Sequence, residues 1–540
     1  MIRITELKLP LTEKSRENTP DELRAAILKR LGLAASSLID FHVFKRSYDA
    51  RKRNEGICFV YIVDVTARDE ANILQRHAND PHIRLAPDTR YQPPPRAQTH
   101  RKDRPVVVGF GPCGLLAALI LAQQGYRPLV LERGKDVRRR TQDTWGLWRK
   151  SVLMPESNVQ FGEGGAGLFS DGKLYSQIKD PRFLGRKVMQ EFIRAGAPPE
   201  ILYVSKPHIG TFRLTGVVSA MREEIIALGG AVRFESKVVD ITIESGQTRG
   251  VTLESGEFIA TEQVVLALGH SSRDTFRMLH RRGVFMEPKP FAIGFRIEHP
   301  QSMIDRARLG RYAGHPALGA ADYKLVHHAN NGRSVYSFCM CPGGTVVAAT
   351  SETGRVVTNG MSQYSRNERN ANAGIVVGVD PAQDYPGGPL AGLELQEQWE
   401  ATAFELGGRT YRAPGQLVGD FIRNVPSQAL GAIEPSYKPG ITLGDLGLAL
   451  PSYAIDAIRE ALPAFGKQIV GFDREDAVLT GIESRTSSPL RITRDARSLQ
   501  SLNVRGLYPC GEGAGYAGGI LSAGVDGIKV AEAVVAERTT

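Results

Sequence analysis

Apolar positions along the chain recur at strand-like and helix-like spacings, and the first such region is residues 1–82. Alternating apolar residues predict a strand at the N-terminus and two further strands near 38–44 and 57–65. Residues 19–22 read Thr-Pro-Asp-Glu, which predicts a helix start with Thr19 as N-cap and a capping box. The pattern predicts a small, separable N-terminal α/β domain.

Two polar segments adjoin this region. Residues 83–104 contain three consecutive prolines at 93–95 and predict a semi-extended linker, since such runs favour polyproline II. The basic run at 45–53 has two interpretations, a contact for a phosphate-rich partner and the solvated tip of a hairpin. We favour the hairpin tip.

A phosphate-binding turn is predicted where the linker ends. The β-branched run at 106–108 leads into Gly109-Phe110-Gly111-Pro112-Cys113-Gly114, and an apolar helix and a second strand ending at Glu132 follow. In this context Gly109 permits the turn, Gly111 lets a pyrophosphate approach, and Gly114 allows close helix packing. The helix N-terminus would present N–H groups to the phosphates.

Glu132 bears on which dinucleotide binds. A carboxylate at this strand end can accept hydrogen bonds from an adenosine ribose, and it disfavours the 2′-phosphate of NADP. NAD and FAD both stay open at this point. We expect Glu132 to contribute little to the apolar core.

Three later segments extend the pattern. The glycine-rich loop at 162–167 predicts a close approach to a ligand, and strands from 231 to 265 predict a β-meander that returns to a core strand ending at Gly269. Near the C-terminus, Cys510-Gly511-Glu512-Gly513 precedes a helix that starts beyond Gly518 and Gly519. Glycine-lined turns at both ends of the chain suggest one long cofactor.

Composition narrows the class of protein. The chain has 540 residues, 42% of them hydrophobic, and a net charge of +10, which predict an ordinary globular protein with a mildly basic surface and two or three structural units. The N-terminus lacks a signal-peptide pattern, and glycines and prolines interrupt the uncharged stretch at 105–126, so no membrane association is expected. Five scattered cysteines favour a reducing compartment, and we expect a cytoplasmic protein.

Longer motifs carry a resemblance to a known family. They are Phe161-Gly-Glu-Gly-Gly-Ala-Gly167 with Ser170-Asp-Gly-Lys173, Lys289-Pro-Phe-Ala-Ile-Gly294, Phe338-Cys-Met-Cys-Pro-Gly-Gly344, Val357-Thr-Asn-Gly-Met-Ser362, Glu483-Ser-Arg-Thr-Ser-Ser-Pro-Leu-Arg491 and Pro509-Cys-Gly-Glu-Gly-Ala-Gly-Tyr-Ala-Gly-Gly519. Over nearly the whole chain this pattern resembles the uncharacterised FAD-dependent dehydrogenase family of the glutathione-reductase-like superfamily.

The resemblance implies an α/β fold in several parts. These are a ferredoxin-like domain at 1–82, a linker at 83–104, a Rossmann-like FAD-binding domain with a β-meander at 105–285, an inserted mixed α+β substrate domain at 286–477, and the C-terminal part of the FAD-binding domain at 478–540. The FAD would be non-covalent. The expected cofactor-binding residues are Gly109, Gly111, Pro112, Gly114, Glu132, Arg133, Gly164, Gly165, Gly167, Val238, Gly269, Gly511, Glu512, Gly518, Gly519 and Ile520.

Within this assignment Glu132 would hold the ADP half and Val238 would lie by the adenine. Glu512 takes the place of a ribityl-binding acid that many relatives supply as Asp. The two glycines at 518–519, with Ile520, would approach the pyrimidine edge of the flavin.

Candidates for the chemistry are few. Arg485, with Ser487 and Ser488, could clamp a substrate carboxylate or buttress the cofactor loop, and the two interpretations are equal. His270 could donate a proton, although a structural histidine is the favoured interpretation. For Cys339-Met340-Cys341 we favour a buried apolar strand without metal, and the alternative is a redox or flavin-adjacent role. No paired-cysteine motif lies near the first flavin-binding helix.

The expected function is hydride transfer between flavin N5 and an organic substrate. NAD(P)H could dock transiently as electron donor, since a second nucleotide-binding fingerprint is missing from the sequence. Two alternatives stay open, a flavoprotein that acts on or binds RNA and a flavin-binding protein without turnover. The sequence does not identify the substrate, the general acid or base, or the oligomeric state.

Overall fold

The computed structural model describes residues 1–11, 18–51, 56–97 and 103–539. Its N-terminal part folds as β-α-β-β-α-β with strand order β2-β3-β1-β4, a ferredoxin-like arrangement as predicted. The elements are β1 (Ile2–Pro10), α1 (Pro20–Leu31), β2 (Leu38–Asp49), β3 (Cys58–Ala67), α2 (Glu70–Arg76) and β4 (Ile83–Leu85).

The predicted capping box is present. The Thr19 hydroxyl accepts a hydrogen bond from the Glu22 backbone N–H at 3.2 Å, and the Glu22 carboxylate accepts from the Thr19 N–H at 2.8 Å. The sheet extends beyond the predicted boundary at 82, because β4 pairs with β1. Three residues are too few to show an alternating pattern, so the sequence placed them in the linker.

The basic run lies partly in the predicted hairpin, because β2 and β3 pair antiparallel and residues 50–51 begin their connection. Lys45–Asp49 belong to β2 rather than to a hairpin tip, and residues 52–53 lie outside the described residues. Arg46 donates its backbone N–H to the Tyr203 carbonyl oxygen at 2.6 Å, which joins this edge strand to the rest of the molecule.

The second part contains a five-stranded parallel sheet with strand order β23-β11-β5-β6-β7 and a three-stranded antiparallel meander. Apolar residues fill the space between the sheet and its covering helices. The elements are β5 (Val106–Val108), α3 (Pro112–Gln123), β6 (Leu129–Leu131), α4 (Val137–Lys150), α5 (Leu184–Arg194), α6 (Thr211–Ala227), β7 (Ala231–Arg233), β8 (Val238–Glu244), β9 (Gln247–Leu253), β10 (Phe258–Ala260), β11 (Val264–Leu266), α7 (Arg273–Arg281) and β12 (Met286–Pro288).

The third part is built on a seven-stranded mixed sheet with strand order β14-β15-β18-β13-β21-β19-β20. Its elements are β13 (Phe291–Pro300), α8 (Gln301–Leu309), β14 (Val326–His328), β15 (Ser334–Cys341), β16 (Gly344–Ala348), β17 (Thr358–Ser362), β18 (Asn370–Val379), α9 (Ala391–Leu406), β19 (Ala413–Leu417), α10 (Val418–Arg423), β20 (Ile441–Leu443), α11 (Ser452–Gln468) and β21 (Val478–Glu483).

The chain then returns to the parallel sheet through β22 (Leu490–Ile492), β23 (Leu507–Pro509) and α12 (Ile520–Thr539). The sequence predicted that the FAD-binding domain resumes at residue 478. However, β21 begins at that residue and pairs with β13 and β19 of the seven-stranded sheet. The sequence also predicted that the inserted domain begins after residue 285. However, β12 follows that residue and pairs with β22, which lies beside the parallel sheet. A short apolar strand carries no mark of which sheet it joins, so its sequence could not decide this.

None of the helices in the described ranges is both long and apolar enough to cross a membrane.

Candidate functional site

A cavity of about 370 Å³ opens at the carboxyl ends of β5, β6 and β11, where ligands bind in open parallel sheets. The first glycine-rich turn, the loop after α4 and the C-terminal turn line one part of it. The seven-stranded sheet and its connections supply the rest of the lining, including Phe338, Cys339, Asn359, Arg485 and Thr486. A volume of this size lies within the range of cofactor sites.

The first turn is shaped by three glycines. A Cβ at Gly109 would lie 2.4 Å from the Ala267 carbonyl oxygen, and one at Gly114 would lie 2.0 Å from the Gly109 carbonyl oxygen. Both positions therefore require glycine for close packing. A Cβ at Gly111 would meet nothing closer than 3.6 Å, and Gly111 lines the cavity at the N-terminus of α3.

Glu132 is buried at the end of β6 and lines the same cavity. Its Oε1 accepts hydrogen bonds from the Gly134 and Gly162 backbone N–H groups at 2.8 and 2.9 Å. Its Oε2 accepts one from the Phe110 N–H at 2.9 Å. Since each carboxylate oxygen can accept two hydrogen bonds, Oε2 retains capacity for one further donor.

The second glycine-lined turn leaves bare backbone facing the cavity. A Cβ at Gly269, Gly518 or Gly519 would meet nothing within 4 Å, and all three residues line the cavity. Gly167 packs against Ile520, whose side chain would lie 2.9 Å from an added Cβ. This surface suits a flat ligand that approaches the backbone closely.

Glu512 is the acidic side chain of this second turn. It lines the cavity, and burial raises its pKa to about 7. A hydrogen bond from the Gly519 backbone and the charge of Lys289 oppose that shift. The carboxyl group therefore changes its protonation state near neutral pH.

A cation from the loop after α4 and a thiol from the seven-stranded sheet meet at the cavity. The Lys173 ammonium donates to the Met340 carbonyl oxygen and lies 3.8 Å from Asp171, whose carboxylate makes its short contacts with Arg366. Burial lowers the pKa of Lys173, but the neighbouring Cys339 and Cys341 sulfurs outweigh it and the pKa is raised. Lys173 therefore stays protonated.

Cys339 faces this ammonium from a distorted part of β15. Its φ is +42°, in the left-handed region, and the register with β18 shifts between Phe338 and Cys341. A hydrogen bond from the Cys341 thiol, followed by the charges of Lys173 and Arg296, holds the pKa of Cys339 below its ordinary range. The expected strand is present, and Met340 and Cys341 are buried in it. Its bulge turns Cys339 to the cavity, which fits the alternative interpretation for that residue.

Comparisons with known proteins agree with this architecture. A Clostridium beijerinckii protein described as uncharacterized is 49% identical over 536 residues, which cover 99% of this chain and 98% of that protein. Residues 290–486 match the family "FAD-dependent protein, C-terminal domain-like", and residues 1–66 match a domain of unknown function. The chain belongs to this family of FAD-dependent proteins.

Solved structures resemble it only distantly. L-proline dehydrogenase from P. horikoshii is 14% identical with a TM-score of 0.31, over 82% of this chain and 94% of that chain. Glycine oxidase from Bacillus cereus is 11% identical with a TM-score of 0.31, over 81% of this chain and 96% of that chain. Likeness at this level carries no inference about activity.

The residues of this FAD-dependent protein fit the dinucleotide. The α3 N-terminus, the spare acceptor on Glu132 and the bare backbone at 518–519 offer phosphate, ribose and ring contacts within one cavity. The predicted resemblance to FAD-dependent proteins and the predicted α/β fold class are confirmed.

Most predicted cofactor residues line the cavity. Those that do are Gly109, Gly111, Pro112, Glu132, Arg133, Gly165, Gly167, Val238, Gly269, Glu512, Gly518, Gly519 and Ile520. Gly114, Gly164 and Gly511 lie behind this surface. Gly114 packs α3 against β5, and Gly511 donates its N–H to Asp526 at 2.7 Å, so both act through packing.

Arg485 lines the cavity, but its guanidinium is held by protein groups. It donates to Glu400 at 2.9 and 2.8 Å, and to the Ser271 and Ser351 hydroxyls at 3.0 and 2.8 Å. The buttress interpretation therefore fits better than the substrate clamp. Ser488 donates to two backbone carbonyls behind the cavity wall, and Ser487 does not line the cavity.

His270 also lines the cavity, and its Nδ1 lies 3.0 Å from the Ser271 hydroxyl. Burial, followed by repulsion from Arg485 and Arg273, lowers its pKa to about 3. The imidazole is therefore neutral at physiological pH. Lys173 was not among the predicted site residues. A lysine that closely follows a glycine-rich loop was the sequence signal that could have identified it.

One cysteine contact lies outside any sequence motif. Cys113, in the first turn of α3, and Cys510 bring their sulfurs within 2.7 Å. The two residues are 397 positions apart, so no local motif could reveal them.

Proposed function

We propose that this FAD-dependent protein is an oxidoreductase in which hydride passes between flavin N5 and an organic substrate. The observation that supports it is the single cavity bounded by both glycine-lined turns and by a polar wall from the inserted part. When bound there, FAD supplies the redox chemistry, while the protein orients the substrate and excludes water.

In this proposal the two turns divide the cofactor between them. Glu132 and the α3 N-terminus hold the adenosine diphosphate half, with Arg133 and Val238 beside it. The Arg133 guanidinium is held by ion pairs with Glu156 and Asp274, at 2.7 and 2.8 Å. It also packs on the Phe161 ring, whose centroid lies 4.1 Å from the guanidinium carbon. Gly518 and Gly519 lie against the flavin end.

Lys173 is our candidate for orienting the substrate. Arg485 uses its donors on Glu400 and two serines. The Lys173 ammonium has one short backbone contact, a carboxylate 3.8 Å away and the neighbouring Cys339 sulfur. A protonated cation that lines a cavity attracts an anionic group. We therefore propose a substrate that carries a carboxylate or a similar anion, with NAD(P)H as a transient donor.

Spectroscopy and reduction kinetics test the proposal. Purified protein should be yellow and release intact FAD, and anaerobic mixing with NADH, NADPH and a panel of carboxylate substrates should bleach the flavin with at least one of them. A flavin that binds but is bleached by none would contradict the oxidoreductase and favour the flavin-binding alternative.

A substitution separates the role of Lys173 from that of the fold. Lys173→Gln should slow bleaching by the active carboxylate and leave FAD affinity unchanged, because the residue lies on the substrate wall. Lys179→Gln, at an exposed position six residues away, is the matched control and should leave both unchanged. Equal bleaching rates in the two variants would remove Lys173 from the substrate site.

A further inference from the structure

Two buried cysteines meet beneath the cofactor cavity. Cys113 is the second residue of α3, and Cys510 directly follows β23. Their Sγ atoms lie 2.7 Å apart, both side chains are buried, and both residues line the cavity. The contact joins the two glycine-lined turns, which lie at opposite ends of the sequence.

Glycines on the C-terminal side permit this approach. A Cβ at Gly511 would lie 2.8 Å from the Cys113 Cβ, and one at Gly527 would lie 2.2 Å from the Cys113 carbonyl oxygen. The strand end and α12 can therefore press against the start of α3. Asp526 holds the turn by accepting the Gly511 N–H at 2.7 Å.

We propose that Cys113 and Cys510 are a redox-active pair that forms a reversible disulfide when a small peroxide enters the cavity. The Cys113 sulfur attacks the peroxide O–O bond, and the thiol proton passes to the departing oxygen, so hydrogen peroxide gives a sulfenic acid and one water. The Cys510 sulfur then displaces hydroxide from that sulfenic acid, which forms the S–S bond and a second water. Two thiols are oxidised by two electrons and the peroxide is reduced by two.

The positions of the two thiols assign these roles. Cys113 keeps 5% of its surface exposed and Cys510 none, so a peroxide in the cavity reaches the Cys113 sulfur first. Burial, followed by the hydrogen bond with Cys113, raises the pKa of Cys510 well above its ordinary value. Cys510 therefore keeps its proton until the sulfenic acid forms.

The same group does not suit a metal. Cys113, Cys510 and Asp526 offer three ligand atoms within 4.8 Å of one another. However, Arg494 donates to both Asp526 oxygens, at 2.6 and 3.0 Å. A cation would have to displace this guanidinium, so we assign the pair to thiol chemistry.

Peptide mapping of the full-length protein tests the proposal. Holo-protein and FAD-free protein are treated with hydrogen peroxide, quenched with N-ethylmaleimide in denaturant and digested without reductant. We expect a peptide pair that links Cys113 to Cys510, is lost with dithiothreitol, and forms faster without FAD, since both thiols line the cavity.

Variants and a melting curve complete the test. Cys58→Ser, which removes a cysteine of the N-terminal domain, should retain the linked peptides, whereas Cys510→Ser should lose them. The oxidised wild-type protein should melt at a higher temperature than the reduced one, because the link closes a loop of 397 residues in the unfolded chain. Full alkylation of Cys113 and Cys510 while other cysteines are oxidised would overturn the proposal, and equal rates with and without FAD would overturn access through the cavity.

Discussion

The Glu132 carboxylate holds three backbone segments together as well as facing the cavity. Its acceptors satisfy N–H groups from the first turn, from the residues after β6 and from the glycine-rich loop. Its contribution to the fold is therefore polar rather than apolar. Buried N–H groups without a partner are costly, so this carboxylate stabilises the three segments that line the cavity around it.

We predict that Glu132→Gln lowers both FAD affinity and the free energy of unfolding. The glutamine NH₂ group would face an N–H donor, leaving a buried donor unsatisfied at a cost of about 1–3 kcal/mol. Urea unfolding of FAD-free protein and fluorescence titration with FAD measure the two effects. Glu254→Gln, with a largely exposed side chain, is the control. An unchanged unfolding curve would contradict the structural role.

The raised pKa of Glu512 predicts that FAD binding depends on pH. Its folded pKa of about 7 is raised above the unfolded value of about 4.3, so its contribution to stability is complete below about pH 4.3 and is lost as pH rises through 7. FAD removes more water from the cavity and favours the neutral carboxyl further.

We therefore expect FAD affinity to be higher at pH 6 than at pH 8, with a change of at most about tenfold per pH unit for one linked proton. Titration of FAD-free protein between these values measures it. Glu512→Gln should remove the transition near pH 7. A transition that persists in this variant would assign the titration to another group.

At the scale of elements, the packing of α12 on α3 brings the two turns together. Gly527 lies at the crossing, where an added Cβ would lie 2.2 Å from a backbone oxygen. A backbone atom cannot move aside as a flexible side chain can. The helices must therefore separate to admit any larger residue.

We predict that Gly527→Ala destabilises the protein by about 1–3 kcal/mol, the usual range for overpacking, and weakens FAD retention. Gly216→Ala in α6 is the matched control, because an added Cβ there meets nothing within 4 Å. That helical, exposed substitution should be neutral or stabilising. Thermal melts and FAD titrations compare the two, and equal melting temperatures would show that α12 shifts without cost.

At the scale of the whole molecule, the N-terminal domain is attached by more than its linker. Arg46 exchanges backbone hydrogen bonds with Tyr203 and Ser205, at 2.6 and 2.8 Å. Phe44 packs edge-on against Phe183, with ring centroids 6.4 Å apart. One apolar cluster also runs from the N-terminal domain into the seven-stranded sheet.

We predict that trypsin cuts after the exposed Arg90 and Arg96 without releasing the N-terminal fragment. The two pieces should elute together in size-exclusion chromatography and separate only in denaturant, because backbone pairing and aromatic contacts outlast the linker. Combined Arg90→Gln and Arg96→Gln substitution should remove the fragments that end at these two residues. If the small fragment elutes alone, the linker is all that holds the N-terminal domain, and that domain is fully separable.

Features that depend on neighbouring residues could be predicted from the sequence. The capping box at Thr19 follows from local hydrogen bonds, and the turn at 109–114 follows from conformations that only glycine accepts there. These features predicted the α/β class and many of the residues that line the cavity. The family motifs extended that assignment across the chain.

Contacts between distant segments were decided only by the tertiary structure. The Cys113–Cys510 contact, the Glu400 partner of Arg485 and the choice of sheet for β21 each depend on residues many positions away. Cys339 turns to the cavity because β15 bulges against β18, although its sequence is that of a plain strand. Local pattern specifies which element forms, whereas packing and electrostatics across the fold select the partner of each polar side chain.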